Sequence, residues 1–276
     1  MRLCCVPAAN EKFPGISLWL LVAVFLQPGR PLSAEPVTVR YREGSVHGFL
    51  ALRAPDGKIL AAGDLTQVVH GNRAVSHLVF RFRDGSIDDE TATFSQRGVF
   101  RLITDHHIQK GPIFPQSTNV LINASTGQVT VRYRDKDREK VDTEHLDLPP
   151  DLANGIILDV LKNISPDAKE TKLSYLAATP KPRIVHLSIT PKGQDTFSVA
   201  SARHKATRFT VKVEIGGIAG MIAPFIGKQP ADTDVWIVDG EAPAFVKSEG
   251  PLYVGGPIWR IEMTSPVWAR SPHSGR

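Results

Sequence analysis

The sequence predicts a mainly β protein: a long-stranded, antiparallel curved sheet or open barrel with one central α-helix packed on it. Three observations predict this. Turn glycines recur at a near-constant spacing, the segments between them alternate apolar and polar side chains, and a single stretch carries a helical period. Gly44, Gly57, Gly71, Gly85, Gly98 and Gly111 are separated by 13, 14, 14, 13 and 13 residues. Asp56-Gly57, Gly71-Asn72 and Asp84-Gly85 are pairs favoured in tight hairpin turns. Each interval leaves about ten residues, roughly 33 Å of extended chain. The regularity lies in the turns and not in repeated sequence, so it gives no ground for a solenoid.

The strands follow from period-two alternation. Val37, Val39 and Tyr41 oppose Thr38, Arg40 and Arg42, and Leu78, Phe80 and Phe82 oppose His77, Arg81 and Arg83, with Val79 as the exception. Val129, Val131 and Tyr133 oppose Thr130, Arg132 and Arg134. Phe209, Val211, Val213 and Ile215 oppose Arg208, Thr210, Lys212 and Glu214, while Trp259, Ile261 and Met263 oppose Arg260 and Glu262. One wet and one dry face mean an antiparallel sheet covered on one side. The helix is expected after Pro149-Pro150-Asp151, where Leu152, Ile156 and Val160, with Ile157, Leu161 and Ile164, recur at helical spacing up to Ser165-Pro166. Its apolar arc is wide, so it should lie buried against the sheet. Strands this long also occur in outer-membrane barrels. The 21 prolines, the lack of aromatic girdles and charged faces such as Arg208, Lys212 and Glu214 argue against that architecture.

The N-terminus reads as a targeting segment. Ile16 to Leu26 form an apolar run of 11 residues without a charge, too short to span a bilayer and sized for a signal-peptide core. Arg2 and Lys12 precede it, and Gln27 to Ala34 break it and end in small residues. The expected organisation is therefore a signal peptide at 1–34, a single β-rich domain at 35–268 and a disordered tail at 269–276. Export to a periplasmic or extracellular location follows. Removing residues 1–34 takes away Arg2, Lys12, Arg30, Glu11 and both cysteines, lowering the formal net charge from +5 to +3. A chain so weakly basic and cysteine-free has no electrostatic footprint for nucleic acid, no disulfide and no zinc–thiolate site. An exported chain without disulfides suits a bacterial envelope.

Motifs that carry chemistry are absent. No G-x-S-x-G, S-x-x-K with partners or H-E-x-x-H occurs. His106 and His107 of Asp105-His106-His107 point to opposite faces of a strand and cannot share one ion. The carboxylates from Asp84 to Glu90 lack calcium-loop spacing and read as a solvated hairpin tip. Arg132 to Lys140 alternates in charge like an exposed hairpin end, and Arg203-His204-Lys205 with Arg208 reads as solvated surface. The glycine-rich run from Gly216 to Lys228 fails as a phosphate loop, since Ile222 and Gln229 occupy required positions. It reads as a packed bend between strands or an apolar lip at a cavity mouth. No catalytic residue, metal or cofactor is expected. Convergence of His77, His106 or His107 with Asp64 or Glu90 in a pocket would reopen the question of an enzyme.

Leader, meander and central helix together resemble the half-barrel layout of LolA-like envelope proteins, over about Val37 to Trp268. The pattern Gly227-Lys228-Gln229-Pro230 through Val235-Trp236-Ile237, then Gly256-Pro257-Ile258-Trp259-Arg260-Ile261-Glu262, is similar to an uncharacterised family of secreted bacterial proteins. The first resemblance implies a curved sheet that shelters acyl chains or other apolar ligands; the second implies no activity. The expected function is thus an exported envelope protein that binds a hydrophobic ligand, a lipid or acyl group, lined by Phe80, Phe82, Phe209, Met221, Phe225, Trp236 and Trp259. The competing expectation is a non-catalytic structural or protein-interaction module with a closed core. The leader reading is checked directly: expressed with its own N-terminus in a bacterium, the exported protein should begin at Glu35 by intact mass and N-terminal sequencing. Exported protein retaining Met1 would refute it.

Overall fold

The computed structural model describes residues 34–135, 138–179, 181–199, 202–214 and 230–264. The expected leader up to residue 33, the glycine-rich run at 216–228 and the expected tail at 269–276 lie outside them. The strands are β1 (Val46–Arg53), β2 (Ile59–His70), β3 (Arg73–Phe82), β4 (Ile87–Arg97), β5 (Val99–Lys110), β6 (Thr118–Asn123), β7 (Gln128–Asp135) and β8 (Arg138–His145). A five-residue helix α1 (Ile157–Leu161) follows. Then come β9 (Thr171–Ala177), β10 (Arg183–Val199), β11 (Ala202–Glu214), β12 (Thr233–Val238), β13 (Ala244–Pro251) and β14 (Ile258–Thr264). All belong to one antiparallel sheet of 14 strands, ordered β8 to β1 and then β14 back to β9. Two meanders are thereby joined through β1 and β14, paired from Phe49–Thr264 to Arg53–Arg260.

The turn rhythm sets this layout. Gly57, Gly71, Gly85, Gly98 and Gly111 all have positive φ, between +61° and +110°, and punctuate β1 to β6 where their spacing placed them. Gly111 shows why glycine is required: a Cβ there would stand 2.5 Å from Ser86 Cα. Most of the alternating faces are as expected, but Met263 is exposed. Phe80, Phe82, Val129, Val131, Phe209 and Trp259 are buried, as is the exception Val79.

Two expected elements differ. Val37 to Tyr41 is not a strand; it touches the sheet at one bridge, Thr38 with Val99, flanked by bonds from Val39 N–H to Gly98 O and Phe100 N–H to Val37 O. Pairing stops there because the amides of Arg40 and Tyr41 are both accepted by Asn163 Oδ1, at 2.8 and 2.7 Å. The helix is the second difference. Leu152 to Ile156 is not helical, because Asp151 and Asn154 hold that segment along the edge of β9. Asp151 Oδ2 accepts Ser174 N–H at 2.7 Å, and Ala153 N–H donates to Ser174 O at 2.9 Å. Asn154 Oδ1 accepts Leu176 N–H at 2.8 Å while its Nδ2 donates to Leu176 O at 3.1 Å. Gly155, at φ +65°, then turns the chain into α1.

The apolar arc is nevertheless buried as expected. Leu152, Ile156, Val160, Leu161 and Ile164 share one core with Phe94, Phe100, Val120 and Ile122 of the first meander and Leu173, Leu187, Ile189 and Phe209 of the second. Strands from both meanders meet the same linker, so the sheet curves around it. Buried polar bonds pin the linker: Lys162 Nζ bonds Glu43 Oε2 at 2.6 Å and Asp159 Oδ1 at 2.9 Å. A smaller core at the other end joins Leu50, Leu52, Phe80, Phe82, Phe114 and Trp259.

Substituting Asn154→Ala strands the N–H and C=O of Leu176 in a buried position. At about 1–3 kcal/mol per orphaned group, urea denaturation should show a loss of about 2–4 kcal/mol. Hydrogen exchange should show the Leu176 amide losing protection, and an unchanged rate would contradict this account of the β9 edge.

Candidate functional site: a carboxylate layer inside the curved sheet

Strand register carries acidic side chains into the interior. In β4, Asp88, Glu90 and Ala92 share one face with Phe94 and Gln96, and Phe94 and Gln96 are sealed. Opposite them, β5 pairs Gln109 with Asp88, His107 with Glu90 and Asp105 with Ala92. A bulge decides which β5 residues enter. Thr93 pairs Thr104 but Phe94 pairs Leu102, so Ile103 is extra and the inward phase passes from Phe100 and Leu102 to Asp105, His107 and Gln109. On the outer face His106 bonds Asn119, and His77 bonds Asp89. The expected solvated tip from Asp84 to Glu90 is therefore corrected: only the turn is a tip, and Asp88 and Glu90 belong to a strand and face inward.

The layer is bonded from several directions. Asp88 Oδ1 lies 2.8 Å from His107 Nε2 and accepts Gln109 Nε2 at 2.8 Å. Gln109 Nε2 also reaches Leu252 O in the loop between β13 and β14, at 3.0 Å. Asp105 Oδ1 is buried without a hydrogen-bond partner among the described residues. Gly155 closes over this oxygen, and a Cβ there would stand 2.7 Å from both Asp105 Oδ1 and Ala92 Cβ. Tyr175 of β9 faces the same layer from the second meander, near enough for Glu90, Asp105 and Asp88 to act on its phenol.

The charges shape one another. Burial, then the charge of Asp88, holds Glu90 above the usual carboxylate range against the pull of His107. Burial and Glu90 raise Asp105 well above it. Burial opposes the charge on His107, but the Asp88 bond and the charges of Glu90, Asp88 and Asp105 outweigh it and push the imidazole up to about 9. Burial and the same carboxylates raise Tyr175. Glu90, His107 and Tyr175 are each partly buried.

The residues expected to line an apolar cavity do not gather there. Phe80, Phe82 and Trp259 pack in the smaller core, where Phe82 lies 5.7 Å from Phe114 and 5.9 Å from Trp259 between ring centroids. Phe209 is sealed in the larger core. Trp236 takes neither place: its indole N–H donates to Asp195 Oδ2 at 2.7 Å, and Lys247 Nζ sits 3.9 Å over its ring. Register sets it beside Arg208 and Lys247, on the face opposite Phe209 and Val235. Met221 and Phe225 lie outside the described residues. A recess of about 90 Å³ near Tyr41, Lys162, Phe209 and Asp239 shares no residue with the carboxylate layer. Of its charged groups, Lys162 is bonded to Glu43 and Asp159 and Asp239 to Thr207 and Gln194, while the Arg40 guanidinium lies 5.8 Å from the centre of the Tyr41 ring. The carboxylate layer is thus the stronger candidate.

No family model matches the chain. No curated protein matches it. Among solved structures it is similar to a β-barrel-like protein of the domain of unknown function DUF1849 from Brucella abortus, at 10% identity and a TM-score of 0.46, over 83% of this chain and 99% of that one.

The layer makes stability fall with rising pH. Glu90, Asp105 and His107 each bind their proton more tightly folded than unfolded, so the unfolded chain carries fewer protons across these titrations. The His107 contribution is complete below about 6.5 and is lost as pH rises through about 9. With part of the ring exposed, the loss should be on the order of 2 kcal/mol between pH 6 and 10. Urea denaturation at both values checks this, and His107→Gln should flatten the alkaline part of the profile.

Proposed function

We propose that this protein is an exported envelope protein that holds a small amphipathic molecule inside its curved sheet, with the polar end of the ligand at Glu90, His107 and Tyr175. One observation carries the reading: three titratable side chains from β4, β5 and β9 converge on the inner face of the sheet, where each is only partly buried. Apolar neighbours surround them, since register sets Leu78 beside Glu90, and Val120 beside His107. Convergent polar groups in an apolar interior are what a small-molecule site requires. The expected lipid or acyl ligand is thereby narrowed to one with a polar end, because Phe80, Phe82, Phe209 and Trp259, first expected to line the site, fill the cores instead.

His107 does converge with Glu90, the arrangement that would reopen catalysis. An imidazole held near 9 is already protonated at neutral pH, so it donates hydrogen bonds and cannot take up a proton as a general base. A second reading, a structural or interaction module of the envelope, is supported by the complete burial of Phe80, Phe94 and Phe209.

The two readings separate in one experiment. Protein purified without denaturant should carry a small molecule in native mass spectrometry or bind an apolar fluorescent probe. Tyr175→Phe should weaken probe binding at least five-fold with the fold intact by circular dichroism. Protein that carries nothing and ignores the probe would leave the closed module as the function.

A further inference from the structure

We propose that the open edge at β8 is an interaction surface for a second copy of this chain, which adds its own β8 antiparallel across a twofold axis. The two edges of the sheet are treated differently. Along β9 the linker supplies a bridge from Leu152 to Ser174 and the side chains of Asp151 and Asn154. β8 ends the strand order at the other side, and no strand among the described residues pairs with its outer edge. Six of its eight residues are exposed, and Val141, near its centre, is 52% exposed. Such an edge is a template for strand addition. The inference is independent of the interior site argued above, to which β8 contributes no residue.

The residues of β8 select the occupant. Arg138, Lys140, Asp142 and Glu144 share one face and Glu139, Val141, Thr143 and His145 the other. The first face begins basic and ends acidic, so it is its own complement when reversed. Tyr133 O–H donates to Asp142 Oδ2 at 3.2 Å, which holds that carboxylate on this face. Because side chains alternate, a twofold perpendicular to the sheet must fall on a residue if each face is to continue across the junction. With the axis at Val141, Arg138 meets the partner's Glu144 and Lys140 meets the partner's Asp142, each twice by symmetry. Val141 meets the partner's Val141, and Glu139 meets the partner's Thr143. Every neighbouring register opposes like charges. An axis at Lys140 sets it against the partner's Lys140, and one at Asp142 sets it against the partner's Asp142. An axis at Glu139 brings Arg138 to the partner's Lys140, and one at Thr143 brings Asp142 to the partner's Glu144. Like charges directly opposite destabilise a strand pair and opposite charges favour it. The charges that deter unrelated strands therefore admit this one in a single register.

Sedimentation and cysteine cross-linking test this on the full chain carrying Cys4→Ser and Cys5→Ser, in which an introduced cysteine is the only thiol. Sedimentation equilibrium should show monomer and dimer exchanging with concentration. Lys140→Asp should weaken the dimer about ten-fold, and adding Asp142→Lys should restore it. Circular dichroism checks that both variants fold. Val141→Cys should form a disulfide-linked dimer on mild oxidation. Glu139→Cys should cross-link to Thr143→Cys when the two chains are mixed, and neither should cross-link to itself. A chain that stays monomeric at every concentration would overturn the proposal, as would a dimer indifferent to Lys140→Asp. Cross-linking of Glu139→Cys to itself would overturn the register centred on Val141.

Discussion

The pairing of β1 with β14 is the constraint on which the rest of the structure depends. It joins the first and last strands of the described domain and so makes the two meanders one sheet. Consecutive strands β8 and β9 become the two outer strands of that sheet as a consequence. The chain between them must leave one edge and reach the other, and it does so through the interior. Its apolar residues then have strands of both meanders to pack against, which is why a five-residue helix with little intrinsic stability is held in place.

Edge management follows from the same constraint. An outer strand exposes a row of unpaired backbone groups that invite association. At β9 the linker answers this with side chains: the carboxylate of Asp151 and the amide of Asn154 take bonds that a neighbouring strand would have made. The expected long helix gives way to this pairing because buried backbone groups of β9 need partners more than residues 152–156 need helical ones. Gly155, the turn that ends the edge pairing, is also the residue that closes on Asp105. Edge protection and the enclosure of the carboxylate layer are thus made by one short stretch of chain.

The interior is consequently not uniform. An aromatic core with Phe82, Phe114 and Trp259 occupies one end and the helix-centred core the other. The residues that depart from apolar packing are polar ones whose charges are strongly coupled. Carboxyl groups held above their ordinary range are poor stabilisers, and a core of this size has apolar residues enough to do without them.

The architecture was legible in the residues themselves. Five glycines at intervals of 13 or 14 mark the turns of the first meander, and alternation at Phe80 and Phe82, Val129 and Val131, and Phe209 correctly separates inside from outside. Both signals are local, because a turn needs particular φ values and a half-buried strand needs period two. The phase of Asp88 and Glu90 with Ala92 and Phe94 was also on the page, but carboxylates beside a turn read naturally as solvated. Other decisions were beyond local reasoning. Whether His106 or His107 enters the interior depends on the bulge at Ile103, which alternation cannot register. Tyr175 meets residues 70 to 87 positions earlier only because β1 and β14 bring the meanders around one linker. The sequence by itself determined strand length, turn position and sidedness, all properties of neighbouring residues. The tertiary structure alone decided which polar groups share the enclosed space, because that follows from register and curvature across the whole sheet.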